Sequence, residues 1–291
     1  GQIISVFGPS GERIVLNFSD PNQATADGER STVEFPHPFF QDKQVRQAFN
    51  LAIDRDTITT QLYGKTGRPT PNFLIAPAEY YSNNTTDEFN LEKAAKLLDE
   101  AGWVDTNGNG IRDKDRVEMR VLFQTSVNPV RQKTQTIIKQ GLKSIGVDVE
   151  LKSIDATIFF SGDPASTDTL NHFYADLQMF TTGNLNPDPA NYMQQYMCDQ
   201  IAQKSNGWSG GNYPRYCNPE YDALWQKSQT ELDPEKRRDL FIQMNDWLIN
   251  DVAVLPIVHR AEVAGVSNSL EGVNLTPWDR NTWNIMDWKR K

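Results

Sequence analysis

The sequence has little histidine, little cysteine and no long apolar run, and each scarcity removes a class of function. His37, His172 and His259 are the only histidines in 291 residues, and no zinc or nucleophile motif surrounds any of them. The two cysteines, Cys198 and Cys217, are 19 residues apart and lack the C-x-x-C spacing of a redox or zinc site. The longest apolar run, Val252 to Val258, is far too short to cross a bilayer. Basic residues are outnumbered, 29 against 38 acidic ones, for a net charge of -9. A field of that sign disfavours nucleic acid and anionic lipid. No Walker or dinucleotide glycine loop is present, because Gly207 to Gly211 follows no strand–helix pattern. Counting does not remove a glycosidase-like carboxylate pair, but nothing singles one out. The reading is of a protein that is not an enzyme, with a hydrolase as a minor alternative.

What is present is concentrated in one stretch, Ala175 to Asp222. It is crowded with Asn, Gln, Tyr, Trp, Gly and Pro, holds both cysteines, and contains only two basic residues, Lys204 and Arg215. Such a composition suits an ordered, polar and aromatic ligand wall. A matching second wall is largely missing from the chain. Cys198 and Cys217 bracket an irregular loop within the stretch. They are either a disulfide or two buried thiols, and the bracketing favours the disulfide and an oxidising compartment. Bridging them would remove roughly 3 kcal/mol of loop-closure freedom from the unfolded chain.

Periodicity gives an α/β pattern. Ile3–Val6 and Arg13–Phe18 read as short strands separated by a Gly-Pro-Ser-Gly turn. Val45, Ala48, Phe49, Ala52, Ile53 and Ile58 predict one amphipathic helix over 43–62. Asn90 caps a helix that Gly102 stops, and Asn128-Pro129 opens another that Gly146 ends. Strands are expected around Val117–Phe123 and Val147–Leu151, helices after Asn218-Pro219 and Asp233-Pro234, and a buried strand over Val252–His259. Three parts follow: strands and a crossing over 1–37, an α/β lobe over 38–253, and a return crossing with further strands over 254–291. A chain that leaves one lobe, builds a second and returns has a two-strand hinge. Because the chain starts at Gly1 and not Met, a mature or trimmed product is expected, and the lack of a visible leader does not argue against export.

Several motifs resemble the family 5, peptide/nickel-type solute-binding proteins of ABC importers. They are Asp42-Lys-Gln-Val-Arg46-Gln-Ala-Phe-Asn-Leu-Ala-Ile-Asp54-Arg55, Leu91 to Trp103, Tyr216-Cys-Asn-Pro-Glu-Tyr-Asp222, Asp233 to Arg237, and Leu255-Pro-Ile-Val258. The resemblance implies a type II periplasmic-binding-protein-like fold, here the second lobe plus a few strands of the first. It implies an exported, periplasmic or cell-surface monomer that delivers oligopeptides, or another solute such as a sugar or metal chelate, to the transmembrane subunits of an ABC permease. It also implies that the segment after Asp176–Phe180 lines the ligand cleft. Peptide binders of the family often carry a Trp and an Asp there. This sequence has Thr181 or Thr182 near the Trp position and Asn184 at the Asp position, with Asp188 able to supply the charge instead. The rival reading is that Asn184 and Asp188 only build turns around the prolines. Trp208 and Tyr213 are candidates for stacking on a ligand, or for packing within their loop. No Lys or Arg lies between Lys152 and Lys204, which argues against an arginine fork for a free carboxylate and toward a longer peptide or an uncharged ligand.

One further motif stands apart. Asp105, Asn107, Asn109 and Asp113, with Gly110 at the sixth position, match the first half of a calcium loop. Arg116 occupies the place of the bidentate Glu, and a strand is expected to follow. The alternatives are a structural calcium, as in a secreted calcium-stabilised or adhesion module, and a tight Asn-Gly turn. No other cofactor is expected.

Overall fold

The computed structural model describes residues 1–291. Its first element is one long strand, β1 (Gln2–Leu16), where the sequence predicts two strands and a turn. Gly8-Pro9-Ser10-Gly11 bends the strand without reversing it, and the pairing register shifts between Phe7 and Gly11. A bulge absorbs the turn-forming residues because both flanks find hydrogen-bonding partners. The helix predicted over 43–62 is likewise divided, into α1 (Lys43–Leu51), α2 (Arg55–Ile58) and a single π turn at Thr59–Tyr63. The interruption is the side chain of Asp54, which accepts the Thr57 N–H at 2.9 Å and restarts the helix.

β2 (Gly67–Pro69) and α3 (Leu91–Glu100) follow, the latter capped by Asn90, which accepts from the Lys93 N–H at 2.9 Å. Gly102, at φ +82°, takes the left-handed conformation that ends it. A small hairpin, β3 (Asp113–Lys114) and β4 (Val117–Glu118), leads into β5 (Arg120–Ser126). Next come α4 (Pro129–Ser144), β6 (Asp148–Ile154), α5 (Ala156–Phe159), β7 (Leu177–Thr182) and α6 (Ala190–Gln194). α7 (Pro219–Thr230) and α8 (Pro234–Asn250) are capped by Asn218 and Asp233, each with Pro in the first turn as the sequence predicts. β8 (Val254–Val266), β9 (Leu270–Glu271) and β10 (Lys289–Arg290) complete the chain.

One six-stranded sheet has the order β2-β8-β1-β7-β5-β6. β5 runs parallel to β6 and β7, whereas β1 is antiparallel to both β7 and β8. Gly11–Leu16, before the expected lobe, and Val254–His259, after it, are both built into this sheet. Beyond it, Gln2–Phe7 pairs only with Ala261–Val266, so the strands leave the sheet as a two-stranded ribbon. The ribbon exposes Ile3 (78%) and Val263 (42%), a surface that a ribbon in water does not stabilise by itself. The main core lies between the sheet and α1, α3 and α4, and includes Phe40, Phe49, Phe123 and Leu142. A second core of Tyr196, Tyr221, Phe241 and Met244 sits under α6–α8 and fixes the stretch after β7. Full burial of each such side chain contributes about 1.5–3 kcal/mol.

Candidate functional site

The site begins where β7 leaves the sheet. Its register against β1 sets Thr182 opposite Gly11, Thr181 opposite Glu12 and Phe180 opposite Arg13. Opposed residues share a face and successive residues alternate. Glu12 and Thr181 therefore point to one side, and Arg13, Phe180 and Thr182 to the other. The next residue, Gly183, is required by close approach, because a Cβ there would lie 1.9 Å from the Pro9 carbonyl oxygen.

On the first face Glu12 is 1% exposed and accepts from Arg131 Nε at 2.7 Å and from Thr181 Oγ1 at 2.5 Å. Arg131 also donates to Thr181 Oγ1 at 2.9 Å and to Ser126 Oγ at 2.8 Å. Arg260 donates to Thr181 Oγ1 at 2.8 Å and lies 3.6 Å from the Glu12 carboxylate. Thr181 thus donates its one proton and accepts twice, which exhausts a hydroxyl. Burial pushes the nearby Tyr63 phenol well up, with Glu12 adding to the effect and Arg260 and Arg131 opposing it.

On the second face Arg13 is 3% exposed. It donates to Tyr192 Oη at 2.7 Å and to Gln195 Oε1 at 3.0 Å, and it lies over the rings of Phe73 (4.7 Å), Phe180 (5.2 Å) and Tyr192 (5.7 Å). Above it a cavity of about 310 Å³ opens, lined by Thr182, Asn184, Asn191, Tyr192, Gln195 and Tyr213 among others. Thr182 Oγ1 is buried and unpartnered at its edge.

The structure places the sequence-predicted residues unequally. Thr182, Asn184 and Tyr213 line the cavity. Asn184 is 3% exposed, donating to the Ala76 carbonyl at 3.2 Å and accepting from the Asn186 N–H at 3.3 Å, so it also holds the wall together. Thr181 turns to the opposite face. Asp188 caps α6 through the Ala190 N–H at 2.8 Å and pairs with Arg237 of α8 at 2.6 and 3.2 Å. Partial burial works against its ionisation, but Arg237 holds the carboxyl below its ordinary value. Trp208 stacks on His172 at 4.1 Å and does not line the cavity. Cys198 and Cys217 form the expected disulfide, with Cα atoms 4.6 Å apart. Inside that loop Asn212 donates to the carbonyls of Met197 and Tyr216, which orders the floor beneath Tyr213.

One expectation needs correction. The absence of basic residues between 152 and 204 does not leave the wall without arginine, since Arg13, Arg131 and Arg260 reach it from β1, α4 and β8. Glu12-Arg13, the two charges of an otherwise uncharged strand, were the available signal; Tyr192 and Gln195 carried none beyond composition. The residues of the predicted calcium motif form a turn-rich loop. Asp105 accepts the N–H groups of Gly108 (2.8 Å), Asn109 (3.1 Å) and Gly110 (2.9 Å). Asn107 and Asn109 cap the N–H groups of Asn109 and Ile111, and Asp113 accepts from Thr106 N at 2.9 Å and Thr106 Oγ1 at 2.7 Å. These oxygens serve the loop's own donors. A larger cavity, about 680 Å³, lies away from the wall between α7 and α8, bordered by Leu224, Lys227, Asp246 and Trp247.

A mixed sheet entered and left by paired crossing strands, with a polar wall at the exit of a central strand, is the second-lobe arrangement of the type II periplasmic-binding-protein fold. Solved structures share it. The Bacillus subtilis oligopeptide-binding protein AppA in complex with a nonapeptide superposes with a TM-score of 0.78 at 23% identity, over 100% of this chain and 52% of that one. NikZ from Campylobacter jejuni in complex with Ni(L-His) gives 0.77 at 18% identity, over 99% of this chain and 53% of that one. The chain belongs to the bacterial extracellular solute-binding proteins, family 5: the family model described as "Bacterial extracellular solute-binding proteins, family 5 Middle" matches residues 5–204. By sequence it is 28% identical over 255 residues to the Bacillus subtilis oligopeptide-binding protein AppA, covering 86% of this chain and 44% of that protein. A dipeptide-binding protein of Pseudomonas aeruginosa is 24% identical over 250 residues, with 85% and 43% covered. The chain therefore spans about half the length of the curated relatives it matches. No helix is long and apolar enough to cross a membrane.

Proposed function

We propose that these residues form the hinge and one ligand wall of an exported solute-binding protein that delivers peptides to the transmembrane subunits of an ABC importer. The observation that carries the reading is the cavity at the exit of β7, placed beside the strands that leave the sheet as a ribbon. A ligand held there is positioned for enclosure by a lobe attached through that ribbon. Contacts to both walls then favour the closed form by their differential free energy. The 28% identity to an oligopeptide-binding protein supports peptides as the ligand class. The reading includes no covalent step.

The test is a thermal-shift titration of the intact protein carrying this chain, against a mixed peptide pool and, separately, sugars and nickel–histidine. A rise of several degrees with peptides, lost in Tyr213→Ala with Thr182→Ala, supports the reading. A shift with only a sugar or the metal chelate moves the ligand class while leaving the transport role. No shift with any solute overturns it.

A further inference from the structure

Arg13 is a buried cation whose hydrogen bonding is incomplete. Two other arginines are buried without a carboxylate, and both are surrounded by carbonyl oxygens. Arg215 donates to the carbonyls of Ser31, Tyr213, Asn171 and His172. Arg55 donates to the carbonyls of Pro256 and Asn50 and to Asn50 Oδ1. Arg13 has only Tyr192 Oη and Gln195 Oε1, and its Nε is buried without a partner. A guanidinium offers five donors. Both of those partners are neutral, so no hydrogen-bonded carboxylate balances the charge of Arg13. An uncompensated buried charge is costly, and a fold that keeps one gains when an anion arrives.

Both partners of Arg13 border the 310 Å³ cavity. Tyr192 accepts from Arg13 and donates its own proton to the Phe73 carbonyl over a long 3.4 Å, a bond that a better-placed acceptor in the cavity can displace. Gln195 accepts from Arg13 through its oxygen and keeps one amide N–H beyond the bond it makes to the Tyr192 carbonyl. Hydrogen bonds in such a chain polarise one another. The cavity floor thus carries two donors, each with a cation behind it, and no acidic side chain lines it. We propose that this cavity receives a carboxylate of the bound ligand, with Tyr192 and Gln195 as the contacting donors and Arg13 as the positioning cation behind them. The proposal rests on the reading above that the wall faces the ligand.

The experiment compares dissociation constants for an alanine pentapeptide as free acid and as C-terminal amide, and for that amide with a central Glu or Gln. The two pairs separate a terminal from a side-chain carboxylate. One carboxylate form should bind at least about tenfold more tightly than its carboxamide partner. That ratio should fall to within about twofold in Arg13→Met and in Tyr192→Phe, which keeps the ring and its packing if the arginine variant does not fold. Equal binding of both pairs by the natural protein, or a ratio unchanged in Tyr192→Phe, overturns the proposal. Loss of all peptide binding is a failure of the peptide reading alone. In that case glutarate against glutaramide, followed by melting temperature, decides: a shift with the diacid only, absent in Tyr192→Phe, supports the proposal, and equal shifts or none overturn it.

Discussion

Two adjacent residues of one strand, Glu12 and Arg13, meet opposite electrostatic conditions on the two faces of the same sheet. Glu12 is ringed by Arg131, Arg260 and Thr181, so its face is closed, with each strong group matched inside the chain. Arg13 has two neutral partners, three aromatic faces and an open cavity. The first face holds β1, α4, β7 and β8 in place; the second opens on the cavity. On the proposal above, a buried charge stabilises the fold where its countercharge belongs to the chain and recognises a ligand where it does not.

Glu12→Gln should do the most to break this contrast. It leaves two guanidinium groups on one neutral amide and should cost about 3–5 kcal/mol, read as a shift in denaturant midpoint. Replacing Cys198 and Cys217 by Ser should cost about 3 kcal/mol and loosen the Arg13 side only, seen as faster amide exchange over 198–217 with β1–β8 exchange unchanged. Arg13→Met, at the adjacent position, should change stability by no more than about 1 kcal/mol, because it removes a buried charge that no carboxylate balances. A loss comparable to that of Glu12→Gln would show the two faces to be alike.

Two smaller effects sharpen the picture. His172 and His259 sit below their ordinary values, chiefly through burial, with Arg215 and Arg68 respectively reinforcing the shift and the Gly8 carbonyl opposing it at His259. A depressed folded value means the unfolded chain takes up the proton first. Their contribution is therefore complete above the unfolded value of about 6.5 and is lost as pH falls below it. Unfolding free energy should decline by under about 1.4 kcal/mol per pH unit for each histidine, and His259→Gln should flatten the slope. Asp188→Asn should be smallest, under about 1 kcal/mol, since the pair with Arg237 is exposed, and it should leave peptide affinity unchanged.

Much of the fold was legible because its signals are local. Asn90, Asn128, Asn218 and Asp233 act as caps where the pattern placed them, and the Cys198–Cys217 bracket closed as its spacing suggested. The misreadings were also local signals, overridden by partners far away. Gly-Pro-Ser-Gly reads as a turn until β8 supplies a second strand on both sides of it. The wall was legible as a composition, but its chemistry was not. Arg13 meets Tyr192 across 179 residues and Arg131 meets Glu12 across 119, distances that no periodicity or spacing encodes.

The contact between Gly183 and Pro9 carries one more implication, for how such a wall can change over generations. Side chains that line the cavity, such as Thr182 and Tyr213, can be exchanged without uncoupling the strands. Position 183 has no such latitude, because every other amino acid brings the atom that would fall 1.9 Å from the Pro9 oxygen. The lining of the cavity can drift around this point while the docking of the wall on the crossing strand stays fixed by a missing methyl group.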